Sequence, residues 1–241
     1  MTTPALAGAL ADVETLFNGF ASPAETGCER CFAPAETAYL RTPYTRLPAD
    51  LLSRFVYKVP DHFADHAAVV RRLLPQCARA MADGTLDRVG WGAHGLSRVD
   101  WRAWPTAQAA AVEAFVLAWW QDVLTTPDPP YLVEDVFETC ASILGAMAPL
   151  LDRWQAHPVA DAHLMGTARS WLYHLVDDGW PFTWWDLEDE AAGVAELQSW
   201  LARSAPGRLW ARGEADLAVR AELLGLPPEE RWNHPYWSGA H

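Results

Sequence analysis

Apolar residues recur at intervals of three and four along almost the whole chain, and almost nowhere do they alternate strictly with polar ones. An α-helix turns that interval into a stripe, whereas a half-buried strand needs period two. The clearest case is residues 105–125, opened by Trp104-Pro105. Val112, Phe115, Val116, Trp119 and Val123, with Trp120 and Leu124 on the adjoining row, give it a wide apolar face. The spacing predicts further helices over 4–20, 34–41, 48–58, 62–82 and 131–148. A short piece follows, ending near 156, and then 158–176, 187–203 and 214–224. Asp61 stands where it would cap 62–82, and Pro75 inside that segment predicts a kink or break near residue 72. The expectation is an all-α fold of about nine short helices. Short links favour antiparallel neighbours, arranged as a multi-helix bundle or a HEAT-like α-solenoid. No strict internal repeat is visible. The 241 residues read as a single all-helical domain with a soft division near 126–131, where Thr126-Pro127-Asp128-Pro129-Pro130 stops the preceding helix.

Half of the residues are hydrophobic, which suffices for a sizeable core, and the fourteen Trp are read mainly as part of it. A formal charge of −13 argues against nucleic acid and against an anionic membrane as partners. No apolar run reaches the roughly 20 residues of a membrane span, and the N-terminus lacks the basic start of a signal peptide. Four Cys without an export signal suggest reduced thiols and a cytoplasmic protein.

The motifs from Gly27 to Leu124 come in a distinctive order. Cys28-Glu29-Arg30-Cys31-Phe32 is followed by Arg46-Leu47-Pro48-Ala49-Asp50-Leu51-Leu52, with Phe55 and Tyr57 ending that helix. Arg71-Arg72-Leu73-Leu74-Pro75 comes next, and then Asp100-Trp101-Arg102-Ala103-Trp104-Pro105 before Val112, Phe115 and Trp120. This order resembles a family of uncharacterised bacterial all-helical proteins. The resemblance implies a helical fold and an intracellular location, and it carries no activity or functional residue.

Three constellations have chemical meaning. Cys28 and Cys31 would supply two zinc ligands from one turn, with His62 and His66 as a second pair at i, i+4 and Cys77 as a further option. The other uses of that pair are a redox C-x-x-C, which lacks its usual preceding strand here, and two incidental thiols. His66 also falls on an apolar stripe, where a hydrogen-bonded core histidine is the ordinary outcome. The second constellation is His174 with Asp178, an imidazole beside an orienting carboxylate, against a solvated helix face. The third is Asp177-Asp178-Gly179-Trp180-Pro181-Phe182-Thr183-Trp184-Trp185-Asp186. There Trp180, Trp184 and Trp185 with Asp178, Asp186 and His174 would box a small cation or dock a protein. The structural alternative is a loop pinned to the core by its rings.

Nucleotide-binding, hydrolase and zinc-protease signatures are missing. The first expectation is therefore a non-enzymatic helical scaffold that binds another protein and needs no cofactor. The alternatives are a zinc-binding protein or metal-dependent enzyme at Cys28, Cys31, His62 and His66, and a small-cation or small-molecule binder at the Trp180–Trp185 stretch.

Overall fold

Pro4, Pro34, Pro158, Pro206 and Pro228 each begin an α-helix, where the missing amide hydrogen would have had no partner anyway. The computed structural model describes residues 2–185 and 187–238. Among the described residues there is no strand. The α-helices are α1 (Pro4–Phe17), α2 (Pro34–Arg41), α3 (Ala49–Val56), α4 (His66–Ala82), α5 (Thr106–Thr125), α6 (Val133–Leu144), α7 (Ala148–Leu151), α8 (Pro158–Leu175), α9 (Glu190–Ser204), α10 (Pro206–Ala211), α11 (Ala215–Leu223) and α12 (Pro228–Trp232). The all-α expectation holds. Helices α10 and α12, of six and five residues, are too short to show a stripe in sequence and raise the count. No described helix is long and apolar enough to cross a membrane.

The chain divides into two units, Met1–Val123 with Asp128–Ala146, and Leu124–Pro127 with Met147–His241. In the first unit α4 packs against α1, α2 and α3, the arrangement of a bundle around a central helix. Val69, Val70, Leu73, Leu74, Cys77, Ala78 and Met81 of α4 are buried, on both sides of Pro75. The helix runs from His66 to Ala82 through Pro75, so of the expected kink or break there is no break. The start of α4 also differs from expectation. Asp65, not Asp61, is the N-cap, accepting from the Ala68 amide at 2.9 Å. His62 ends a separate 3-10 turn, Pro60–His62.

In the second unit α8, α9, α10 and α11 pack together. Their core is a run of rings. Trp154 lies 6.0 Å from Trp171 and 5.5 Å from Trp200, and Trp171 meets Phe182 edge-on at 5.6 Å. Phe182 in turn meets Trp180 at 4.9 Å. Gly193 of α9 makes room for this row, since a Cβ there would stand 2.6 Å from the Trp180 ring.

Candidate metal centre

The loop between α1 and α2 is built around one buried carboxylate. Glu25 is fully buried and accepts from the amides of Gly27 at 2.8 Å, Ala64 at 3.1 Å and Asp65 at 3.2 Å. The last two amides belong to the segment that follows His62. A single side chain thus ties the Cys28–Cys31 turn to the segment that carries His62. Arg41 donates to the Glu25 carbonyl at 2.7 Å, and the Ser22 amide donates to the Leu40 carbonyl at 2.9 Å, so α2 holds the base of the loop.

The two cysteines lie on a tight turn. The amides of Cys31 and Phe32 donate to the Cys28 carbonyl at 2.8 and 3.0 Å. Arg54 of α3 donates to the Cys31 carbonyl at 2.6 Å and to Glu36 of α2 at 2.5 Å. The Ala33 amide and Arg54, both donating to Glu36, hold its carboxyl below the ordinary value. Phe32 follows Cys31 and Phe63 follows His62, and their rings stack at 6.0 Å over Phe55. Apolar contact therefore closes the site from beneath while Glu25 closes it from the backbone.

The outcome is a cluster of Cys28, Cys31 and His62 whose donor atoms all lie within 4.8 Å of one another. The Cys31 Sγ stands 3.5 Å from His62 Nδ1. Tetrahedral zinc, with bonds of about 2.3 Å to sulfur and 2.0 Å to nitrogen, spaces such a pair by about 3.5 Å. The residues present fit a zinc ion with three protein ligands. In the metal-free protein the same spacing serves a thiol–imidazole hydrogen bond. Interaction with His62, then with the Arg30 backbone and Cys31, holds the Cys28 thiol down to about 7. Alkylation of the zinc-free protein should therefore reach its half-maximal rate at Cys28 near pH 7, the thiolate growing as pH rises through that value. In His62→Ala the midpoint should move up toward the ordinary thiol range. Buried Cys77 and Cys140 should stay unmodified, as peptide mapping would show.

His66 does not join the cluster, which corrects the expectation of a His62–His66 pair. His62 ends its own 3-10 turn, Phe63 is extended, and α4 begins only at His66, so the two histidines do not share a helix face. The His66 ring stacks on Phe63 at 5.5 Å, and burial and nearby Arg98 depress its basicity. Cys77 is engaged elsewhere. The Leu96 amide donates to His94 Nδ1 at 3.1 Å, which leaves the proton on Nε2, 3.3 Å from Cys77 Sγ. The Cys77 thiol then points to Met81 Sδ at 3.8 Å. Burial pushes Cys77 up to about 12 and His94 down to about 3, so both are neutral and the pair is a core network, not a nucleophile with its base.

The aromatic-acidic stretch packs as core in its rings. Trp185 is buried, lies 5.5 Å from Trp180 and accepts the Trp180 indole hydrogen at its carbonyl at 3.1 Å. The Trp180 and Trp185 rings meet tilted, at 58°, Trp180 is half-buried, and Trp184 alone of the three is exposed. Asp178 is not paired with His174. It accepts from Gln198 at 2.6 Å and Arg231 at 2.9 Å, while exposed His174 lies edge-on to Tyr173 at 5.1 Å. Asp186 lies outside the described residues.

Sequence reasoning missed Glu25 and Arg54. Ser22-Pro23-Ala24-Glu25 resembles a capping box, and nothing local marks Glu25 as the clasp of a distant segment. No protein-family model, curated protein or solved structure matches the chain.

Proposed function

We propose that this chain is a zinc-binding protein that holds the ion through Cys28, Cys31 and His62. The observation that carries the reading is the convergence of three donors from two segments thirty residues apart to within 4.8 Å of one another, with Cys31 and His62 at the separation zinc imposes. Three protein ligands leave a fourth position for water or another ligand, the composition found in catalytic rather than closed structural sites. Bound zinc would supply Lewis acidity there, and it would also cross-link the α1–α2 loop to the start of α4. The stretch 27–124, which resembles bacterial helical proteins, contains all three donors. A reducing, intracellular compartment is part of the proposal, since two free thiols must stay reduced to bind metal. Protein purified without chelator should carry about one zinc per chain by elemental analysis. A strong chelator should lower its melting temperature, because binding energy is folding energy at such a site. Protein that carries no metal, cannot be reconstituted, and melts identically with and without chelator would sink the reading.

A second reading, the helical scaffold with a protein partner, is favoured by one observation. Trp91, Tyr173, Trp210 and Trp232 all keep large rings exposed to solvent. Such rings are enriched at interface hot spots, although single exposed apolar residues are ordinary.

A further inference from the structure

Beside Cys31 lies an open recess of about 340 Å³, walled by Phe32, Arg54, Tyr57, Lys58, Val59 and Arg88. Three of these residues are cations in a chain whose formal charge is −13, and no acid lines the recess. Arg54 is answered by Glu36. Lys58, the chain's single lysine, and Arg88 make no ion pair among the described residues. Arg88 has φ of 73°, a left-handed conformation that a long side chain seldom adopts. The backbone there tolerates strain where a cation stands beside the recess, as functional positions often do. Tyr57 also walls the recess, but its hydroxyl is enclosed in the interior, where Cys77 and Tyr131 act on it, and is not offered to a ligand there. Glu36 answers Arg54 alone of the three cations.

We infer that Arg54, Lys58 and Arg88 form a binding site for a phosphate group, seated beside the Cys31 ligand. Three cations lining one recess suit a dianion with several oxygens better than a monoanion. Because the overall charge repels anions, affinity must come from this local field. The inference rests on the zinc reading only in placing the phosphate next to a metal; the cations themselves are independent of it.

The test is calorimetric titration of inorganic phosphate and of phenyl phosphate into the full chain, zinc-loaded and zinc-free, with zinc content measured on the same samples. Saturable binding is expected, weakened by added salt. It should be roughly tenfold or more weaker in the double variant Lys58→Met with Arg88→Asn. Asn is chosen at 88 because it accepts positive φ. Tighter binding of phenyl phosphate assigns the site to phosphate esters, with Phe32 and Val59 meeting the ring; equal binding assigns it to the free anion. No saturable binding in either form, or binding the double variant leaves unchanged, overturns the inference. Phosphate binding by protein that takes up no zinc would uphold this site and reject the metal one. Zinc uptake without phosphate binding would do the reverse.

Discussion

Arg231→Met should destabilise the second unit by about 2 kcal/mol, a large part of what a domain of that size has to lose. Arg231 sits on α12 and is only 2% exposed. One of its nitrogens donates to the carbonyls of Leu175 and Val176 at 3.3 and 2.9 Å and to Asp178 at 2.9 Å. The other reaches the Leu226 carbonyl at 3.4 Å. The carbonyls of Leu175 and Val176 lie at the C-terminus of α8, where a helix leaves acceptors without partners and favours a cation. Gln198 of α9 joins the same knot, donating to Leu175 at 2.8 Å. The cost falls on the carbonyls rather than on the ion pair. The Asp178 side chain is 46% exposed and can rehydrate, whereas Leu175 and Val176 are buried. Burial pushes the Asp178 carboxyl up, but Gln198 and Arg231 outweigh it and hold the carboxyl below its ordinary value. Its contribution is therefore present above the ordinary aspartate value and lost as pH falls from there through the lowered folded value. Urea unfolding followed by tryptophan fluorescence should show a large drop in midpoint, partly restored in Arg231→Lys. A midpoint no lower than that of exposed Arg212→Ala would show that the knot contributes little.

Glu25→Ala should cost about 3 kcal/mol and abolish tight zinc binding together. It removes one charged acceptor from the amides of Gly27, Ala64 and Asp65. Glu25→Gln should be nearly as damaging, because an amide keeps one acceptor oxygen and turns its NH₂ toward amides that also donate. That pattern separates the hydrogen-bond role from simple packing, since Gln fills the same volume. Competition for zinc against a chelating dye, read beside urea unfolding, measures both losses. If Glu25→Ala bound zinc as tightly as the natural chain, the carboxylate would not be what holds the two ligand segments together.

The helices were largely legible because they are long enough to repeat their stripe. The face of α5 from Val112 to Leu124 is buried as its spacing implies. What sequence could not show was where a short polar stretch leaves helical geometry. His62 and His66 stand four apart, and that spacing places them on one face only if a helix runs between them. Extended backbone at Phe63 and the N-cap at Asp65 separate them instead. The pairing of Cys28 and Cys31 with His62 was in view as half of a wider guess. Its support was not, since Glu25 meets Ala64 and Asp65 across about forty residues and local pattern carries no trace of such contacts. Trp180 and Trp185 show the same limit from the other side. Aromatic rings beside acids describe a cation box and a core loop equally well in sequence, and the packing of Trp180 and Trp185 against Phe182 is visible only in the fold.

The central claim is that Cys28, Cys31 and His62, and not His66, hold a metal ion. Cobalt(II) titration of the reduced, metal-free protein tests it most directly, because thiolate ligation and tetrahedral geometry each have their own absorption. The account predicts a thiolate-to-cobalt band that saturates at about one equivalent, with visible bands of tetrahedral intensity. Those bands should disappear in Cys28→Ser and in His62→Ala and persist in His66→Asn. A spectrum without thiolate charge transfer, or one that Cys28→Ser leaves unchanged, would contradict it.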